Sequence, residues 1–163
     1  MYRKTTEELL SFIESSSDCF HAVKTIADIL KQSGYAELFE GEKWEIKTGG
    51  KYFTVRNLSS LIAFSVPEDE YTRLMLTASH SDSPTYKIKP EPDVTDGPYT
   101  RLNVEGYGGM TASTWIDRPL GVSGRIVVRT GSGIKSKLVK IDEDLLVIPG
   151  LAIHMNRKAN DGY

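Results

Sequence analysis

The residues best suited to chemistry are His80 and Asp82, in the run Ala78-Ser79-His80-Ser81-Asp82-Ser83-Pro84. The chain has three histidines, His21, His80 and His154, and one cysteine, Cys19. A neutral imidazole is a ready metal ligand, and a carboxylate beside it orients or polarises the ring. Residues two apart in extended chain project to the same side, so His80 and Asp82 are expected to face one pocket. Pro84 biases Ser83 toward extended geometry and away from helix. A polar turn after a strand is the competing reading of so short a pattern, and for Asp82 an Asx-type turn competes.

These residues need a platform. Arg73-Leu74-Met75-Leu76-Thr77 is a short, apolar, β-compatible run, read as a buried strand that ends at the site. In open α/β sheets, ligand crevices lie beyond the carboxyl ends of strands. Upstream, Thr5-x-x-Glu8 is a capping-box pattern followed by Leu9, Leu10 and Ile13, which predicts a helix from about Thr6 to Ser15. Val23, Ile26, Ala27 and Leu30 form a second helical stripe, with Gly34 as its left-handed cap. Cys19 and His21 stand at the start of that helix, where Cys19 reads as packing and His21 as a helix-start hydrogen bond. Glu37 to Lys47 reads as a charged connection that packs Trp44. Lys51–Asn57 and Ser60–Val66 then predict two strands joined by a tight hairpin.

The character of the chain changes after Pro90. The run Glu91-Pro92-Asp93-Val94-Thr95-Asp96-Gly97-Pro98 is rich in turn formers and reads as a boundary. Beyond it no helical period appears, and Leu102–Tyr107, Gly124–Thr130, Ser136–Ile141 and Leu145–Ile148 are short and β-prone. Gly131-Ser132-Gly133 predicts a hairpin between two of them. The expected fold class is therefore α/β plus all-β, the second part a sandwich or barrel.

Composition narrows the function classes. Twenty basic and 22 acidic side chains give a net charge of −2, no electrostatic case for nucleic acid or an anionic membrane. Hydrophobic residues make up 39%, a globular composition, with no apolar run long enough to span a bilayer. One cysteine fits a reducing compartment, and the start lacks an uninterrupted signal core, so a cytoplasmic protein is expected.

The donor count is the main restraint on chemistry. A catalytic zinc takes three protein ligands and an open position, and neither H-E-x-x-H spacing nor a cysteine pair is present. Gly106-Tyr107-Gly108-Gly109 lacks the Lys-Ser/Thr ending of a phosphate loop and reads as a bulge or turn. Ser113, Thr114 and Asp117 make no triad on spacing alone. Asp117 and Arg118 read as an internal salt bridge beside Trp115.

Several stretches together resemble the M18 metalloaminopeptidases, the aspartyl aminopeptidase family. They are Phe20-His21-Ala22-Val23, Lys51-Tyr52-Phe53 with Arg56-Asn57, Ala78 to Pro84 with Lys87-Ile88-Lys89-Pro90, Val104 to Gly109, Thr114 to Leu120, and Ile148 to His154. Their order covers nearly the whole chain. The resemblance implies that residues 1–92 are the amino-terminal part of an α/β catalytic domain and 93–163 part of a β-rich dimerisation domain. It implies His80 as a metal ligand and Asp82 as the aspartate that steers it and the general base. It also implies that His154 reaches the substrate site of an adjacent subunit, although a strand-end histidine bonded to backbone is its ordinary reading.

The implied activity is removal of amino-terminal residues, acidic ones among them, from peptides. Two metal ions, usually zinc, with cobalt or manganese as alternatives, serve it in a homo-oligomer. Family members are more than twice as long, so the isolated chain is expected to be inactive and to hold no metal stably. A non-catalytic assembly module derived from such an enzyme, or a binding protein without turnover, are the alternatives.

Overall fold

The computed structural model describes residues 2–161. Its elements run α1 (Tyr2–Ser15), α2 (Cys19–Gln32), β1 (Ala36–Glu37), β2 (Lys51–Arg56), β3 (Ser60–Ser65), β4 (Thr85–Asp96), β5 (Tyr99–Tyr107), β6 (Leu120–Thr130) and β7 (Gly133–Leu146), with a 3-10 turn at Ala112–Trp115. The chain divides into two compact units. One extends to Ser83 and includes Ser123–Lys140; the other is Pro84–Val122 with the segment from Ile141.

In the first unit, α1 begins well before the expected Thr6. Thr5 lies inside the helix, and the neighbouring Thr6 hydroxyl donates to the Tyr2 carbonyl (2.9 Å), so the capping box does not form. Leu9, Leu10 and Ile13 keep their helical spacing but are 57–59% exposed. The last carbonyls of α1 find donors in Lys140 Nζ, which donates to Glu14 O (3.0 Å), and Thr25 Oγ1, which donates to Ser15 O (3.3 Å).

Helix α2 is capped at both ends. Asp18 is the N-cap, its Oδ1 accepting from the backbone N–H of Phe20 (2.9 Å) and His21 (3.0 Å). At the other end Gly34 takes φ +82°, while Gly34 N donates to Lys31 O and Tyr35 N to Leu30 O, a complete Schellman motif. Ala22, Val23 and Ala27 are buried where α2 packs against β2 and β3.

The sheet is ordered β1-β2-β3. β1 runs parallel to β2, pairing Ala36 with Tyr52; β3 runs antiparallel to it, pairing Tyr52 with Phe64. The expected β2–β3 hairpin forms. Its turn uses Asn57 (φ +51°) and Leu58 (φ +59°), and Ser59 N donates to Arg56 O (3.1 Å). Two successive left-handed residues thus open the three-residue connection between the paired Arg56 and Ser60. Phe53 is fully buried at the centre of this unit.

The predicted strand Arg73–Thr77 is not a strand. Its residues carry no regular structure, and Leu74, Met75 and Leu76 are 85, 96 and 84% exposed. A strand exists only as part of a ladder, and β1, β2 and β3 pair with one another and not with this segment. Sequence pattern reports a capacity for pairing; the partner has to be supplied.

The second unit contains the hairpin β4–β5, closed at Gly97, whose φ is +61°. The expected break after Pro90 is strand instead, and position 92/93 falls inside β4. The ladder is interrupted there: Ile88 pairs with Val104, yet the next pair is Asp93 with Leu102. Pro90 and Pro92 have no N–H to give, so the intervening residues bulge out. Gly106 pairs in register with Tyr86, so the bulge lies on β4 and not in the glycine quartet.

Asp117 and Arg118 do not pair as expected. Asp117 adopts φ +54°, its N–H donates to Ile148 O (2.9 Å), and its Oδ1 accepts from Gly150 N (2.7 Å). Arg118 donates to Thr114 O (3.3 Å). A β-carbon at position 150 would collide with the Asp117 carboxylate, which explains the glycine.

The β6–β7 hairpin turns at Gly131–Ser132 as expected, although the two short strands read near its end are one, β7. The segment Leu151–Ile153 before His154 is turn and coil, not strand; Met155 N and Asn156 N both donate to Ala152 O (2.8 and 3.1 Å).

The cap at Asp18 yields a test. Burial pushes its carboxyl up, but hydrogen bonds from Ser123 and from the His21 amide and ring, together with the His21 charge, outweigh burial and hold it below the usual value. A lowered folded-state value contributes stability above the unfolded value, about 3.9, and that stability is lost as pH falls through the folded value. Asp18→Ala is expected to lower stability by about 1 kcal/mol at pH 7 in urea titrations. The deficit should shrink at pH 3, where the parent cap is itself becoming protonated. A deficit equal at both pH values would mean the carboxylate charge is not what caps α2.

Candidate functional site

The two residues singled out for chemistry meet. His80 Nδ1 lies 2.7 Å from the Asp82 carbonyl oxygen and 3.0 Å from Asp82 Oδ1. Both neighbours only accept hydrogen bonds, so Nδ1 carries the proton and shares it between them. In the neutral ring the lone pair is then on Nε2, and the side chain is 80% exposed. A histidine oriented through one nitrogen by carbonyl and carboxylate, with the other nitrogen free, has the form of a metal ligand and its supporting partner.

The segment is held from below. Ser81 Oγ donates to Ser59 O (2.9 Å), which ties it to the β2–β3 turn. That turn is itself gripped: Arg125 Nη1, from β6, donates to Asn57 O (2.9 Å) and to Asn57 Oδ1 (2.8 Å). The Arg125 guanidinium in turn stacks on the Phe20 ring, 4.6 Å from its centroid, at the start of α2.

His21 lies close by in sequence to Phe20 but is engaged elsewhere. Its Nδ1 sits 2.6 Å from Asp18 Oδ2, and both side chains are largely buried. The helix-start role expected for His21 is therefore observed, extended from backbone to side chain. Cys19 is a half-buried free thiol. Burial, then the Asp18 and Asp82 carboxylates, push it up, with helix-start backbone bonds opposing them. The packing role fits such a thiol better than a nucleophilic one.

His154 belongs to the second compact unit, in an exposed turn. Ser81 stands in the run that the sequence singles out and Asn57 in a stretch that carries the resemblance, whereas Asp18 and Arg125 are not marked by the sequence as parts of a site. Asp18 carried a signal, an acidic residue just before an apolar helical stripe. Arg125 carried none, because a strand pattern does not say which turn a long side chain reaches.

Among the described residues no group of three or more His, Cys, Asp and Glu side chains is placed to hold a metal ion. His80 offers one imidazole, and a hydrolytic zinc needs two further protein donors. The residues present therefore do not complete a zinc site. Nor is any helix among them long and apolar enough to cross a membrane.

One oriented histidine does not define an activity by itself; comparison with known proteins supplies the family. Residues 12–163 match the family model described as Aminopeptidase I zinc metalloprotease (M18). The chain is 46% identical over 165 residues to a probable M18 family aminopeptidase 2 of Clostridium novyi, covering 98% of this chain and 38% of that one. It is 40% identical over 169 residues to an aspartyl aminopeptidase of Dictyostelium discoideum, covering 99% and 34%. A solved structure, the S. cerevisiae mApe1 dodecamer, superposes with a TM-score of 0.79 at 30% identity, covering 94% of this chain and 37% of that one.

The chain belongs to the M18 zinc aminopeptidase family. It spans somewhat more than a third of the length of the relatives it matches.

The chemistry of Cys19 is directly measurable. Alkylation by iodoacetamide at pH 8 is expected to be several-fold slower in the folded chain than in the same chain in denaturant, because a raised value and burial both cut thiolate exposure. Equal rates would show that the thiol is neither buried nor electrostatically restrained.

Proposed function

We propose that this chain is the amino-terminal share of a metal-dependent aminopeptidase and supplies one metal ligand to it. His80 is the ligand through Nε2, and Asp82 fixes its tautomer and steers the general base. The observation that carries this reading is the double acceptor at Nδ1, Asp82 O and Oδ1, beneath an exposed ring. The remaining donors come from outside the residues described, so the isolated chain is inactive. Residues 1–92 serve the catalytic domain and 93–163 a dimerisation domain, from which His154 reaches the substrate of a neighbouring subunit. Peptides with acidic amino termini are the preferred substrates, a reading supported by the aspartyl aminopeptidase relative.

The test has two arms. The purified chain, supplied with zinc, cobalt or manganese, should release nothing from amino-terminal aspartyl, glutamyl or leucyl substrates. A chimera in which the chain replaces the matching segment of the Clostridium novyi relative should be active. There, His80→Ala should abolish turnover and Asp82→Asn should lower it about 10–100-fold. A His80→Ala chimera as active as its parent would sink the assignment of His80.

Self-association is proposed as well. A two-stranded sheet consists of two edges, and β4–β5 leaves its outer backbone groups available. The dodecameric relative supports the same direction. Light scattering over a dilution series should show a mass above that of the 18.1 kDa monomer at high concentration. A monomeric mass throughout would rule out association by this chain and, with it, the role given to His154.

A further inference from the structure

We infer that Arg125 is a positioning residue for His80, acting through the β2–β3 turn; this rests on the reading of His80 as a metal ligand. The links are continuous. Phe20 supports the Arg125 guanidinium from below, Arg125 Nη1 gives one hydrogen to Asn57 O and the other to Asn57 Oδ1, and Ser59 O, two residues on, receives Ser81 Oγ. Ser81 lies between His80 and Asp82, so its bond fixes the backbone whose carbonyl and carboxylate orient the imidazole. All of these residues belong to the first compact unit.

The turn is a place where such a clamp is needed. Left-handed turn positions favour Gly or Asn, but here the second one is Leu58, at φ +59°. A β-carbon in that region is strained, and strained conformers persist only where the surroundings over-determine them. Nothing about Leu58 itself supplies that determination: its side chain is 43% exposed. Arg125 does, by chelating the residue before it through main chain and side chain together. The planar guanidinium is suited to the task, since it can donate at its edge while its face rests on an aromatic ring. Releasing it lets the turn relax, moves Ser59 O, and frees Ser81.

The linkage also makes sense of two sequence stretches with no direct chemistry, Phe20-His21 and Arg56-Asn57. Phe20 supplies the ring contact and Asn57 both hydrogen bonds to the same guanidinium. Neither Phe20 nor Asn57 approaches the imidazole by any hydrogen bond or ring contact of its own; they serve it at one remove.

The experiment uses the full chain, labelled with nitrogen-15, at pH 8.5. In the parent, long-range ring correlations should show His80 protonated at Nδ1, and backbone order parameters for residues 79–82 should lie near about 0.85. In Arg125→Ala, the ring should shift to a mixture of tautomers and the order parameters should drop below about 0.6. In the Clostridium chimera the same substitution should reduce kcat about tenfold with little change in KM, as expected of a misplaced group rather than lost substrate binding.

An unchanged His80 tautomer and unchanged order parameters in a folded Arg125→Ala chain would overturn the inference. If that variant does not fold, Ser81→Ala, which removes the last link alone, decides in the same way: an unaltered His80 overturns the linkage, and a loosened one supports it. The outcome for the metal reading is separate. A chimera that tolerates His80→Ala overturns that reading and the catalytic consequence of Arg125, even where Arg125→Ala still loosens the ring.

Discussion

The carboxylate of Asp18 is the constraint on which the first unit depends. One oxygen caps the first turn of α2 and the other engages the His21 ring. A helix start leaves backbone donors unpaired, and here a single side chain answers two of them while also anchoring the His21 ring. Because α2 then begins at a defined residue, Phe20 faces Arg125, and Ala22, Val23 and Ala27 meet the sheet. Position is transmitted from there to the β2–β3 turn and to the loop bearing His80.

The parts of the fold legible in the sequence are those whose determinants are local. The stripe of α2, its glycine cap, the β2–β3 hairpin and the turn at Gly131 each depend on residues within a few positions of one another. The start of α1 was misplaced because Thr5 and Glu8 imitate a capping box while lying inside a helix that continues back to Tyr2. Arg73–Thr77 was misread for a deeper reason. Its apolar, β-compatible residues describe what the segment would bury, and burial requires a neighbour that local pattern cannot name.

The site divides in the same way. The pairing of His80 with Asp82 was legible because two residues at alternate positions need only a short extended stretch to meet. Their support was not, since Arg125 is 68 residues from Asn57 and Ser81 is 22 residues from Ser59. His154 was placed on a strand by its apolar neighbours Leu151 and Ile153, yet those side chains are 65% and 48% exposed in a turn. Apolar composition without a covering layer makes neither strand nor core.

In the role proposed for His80, a ring oriented in advance would spare binding part of the cost of ordering a side chain. The ring is held at Nδ1 by the Asp82 carbonyl and carboxylate and is 80% exposed, and the described residues do not complete a metal site. Such preparation is local and inexpensive: a loop of a few residues, one serine bond and one clamped turn. Gathering several donors costs more, because each further ligand adds backbone and side chain that must be ordered. Leu74, Met75 and Leu76, 85, 96 and 84% exposed, precede the oriented ring by a few residues, so apolar surface and an exposed imidazole lie close together in the chain.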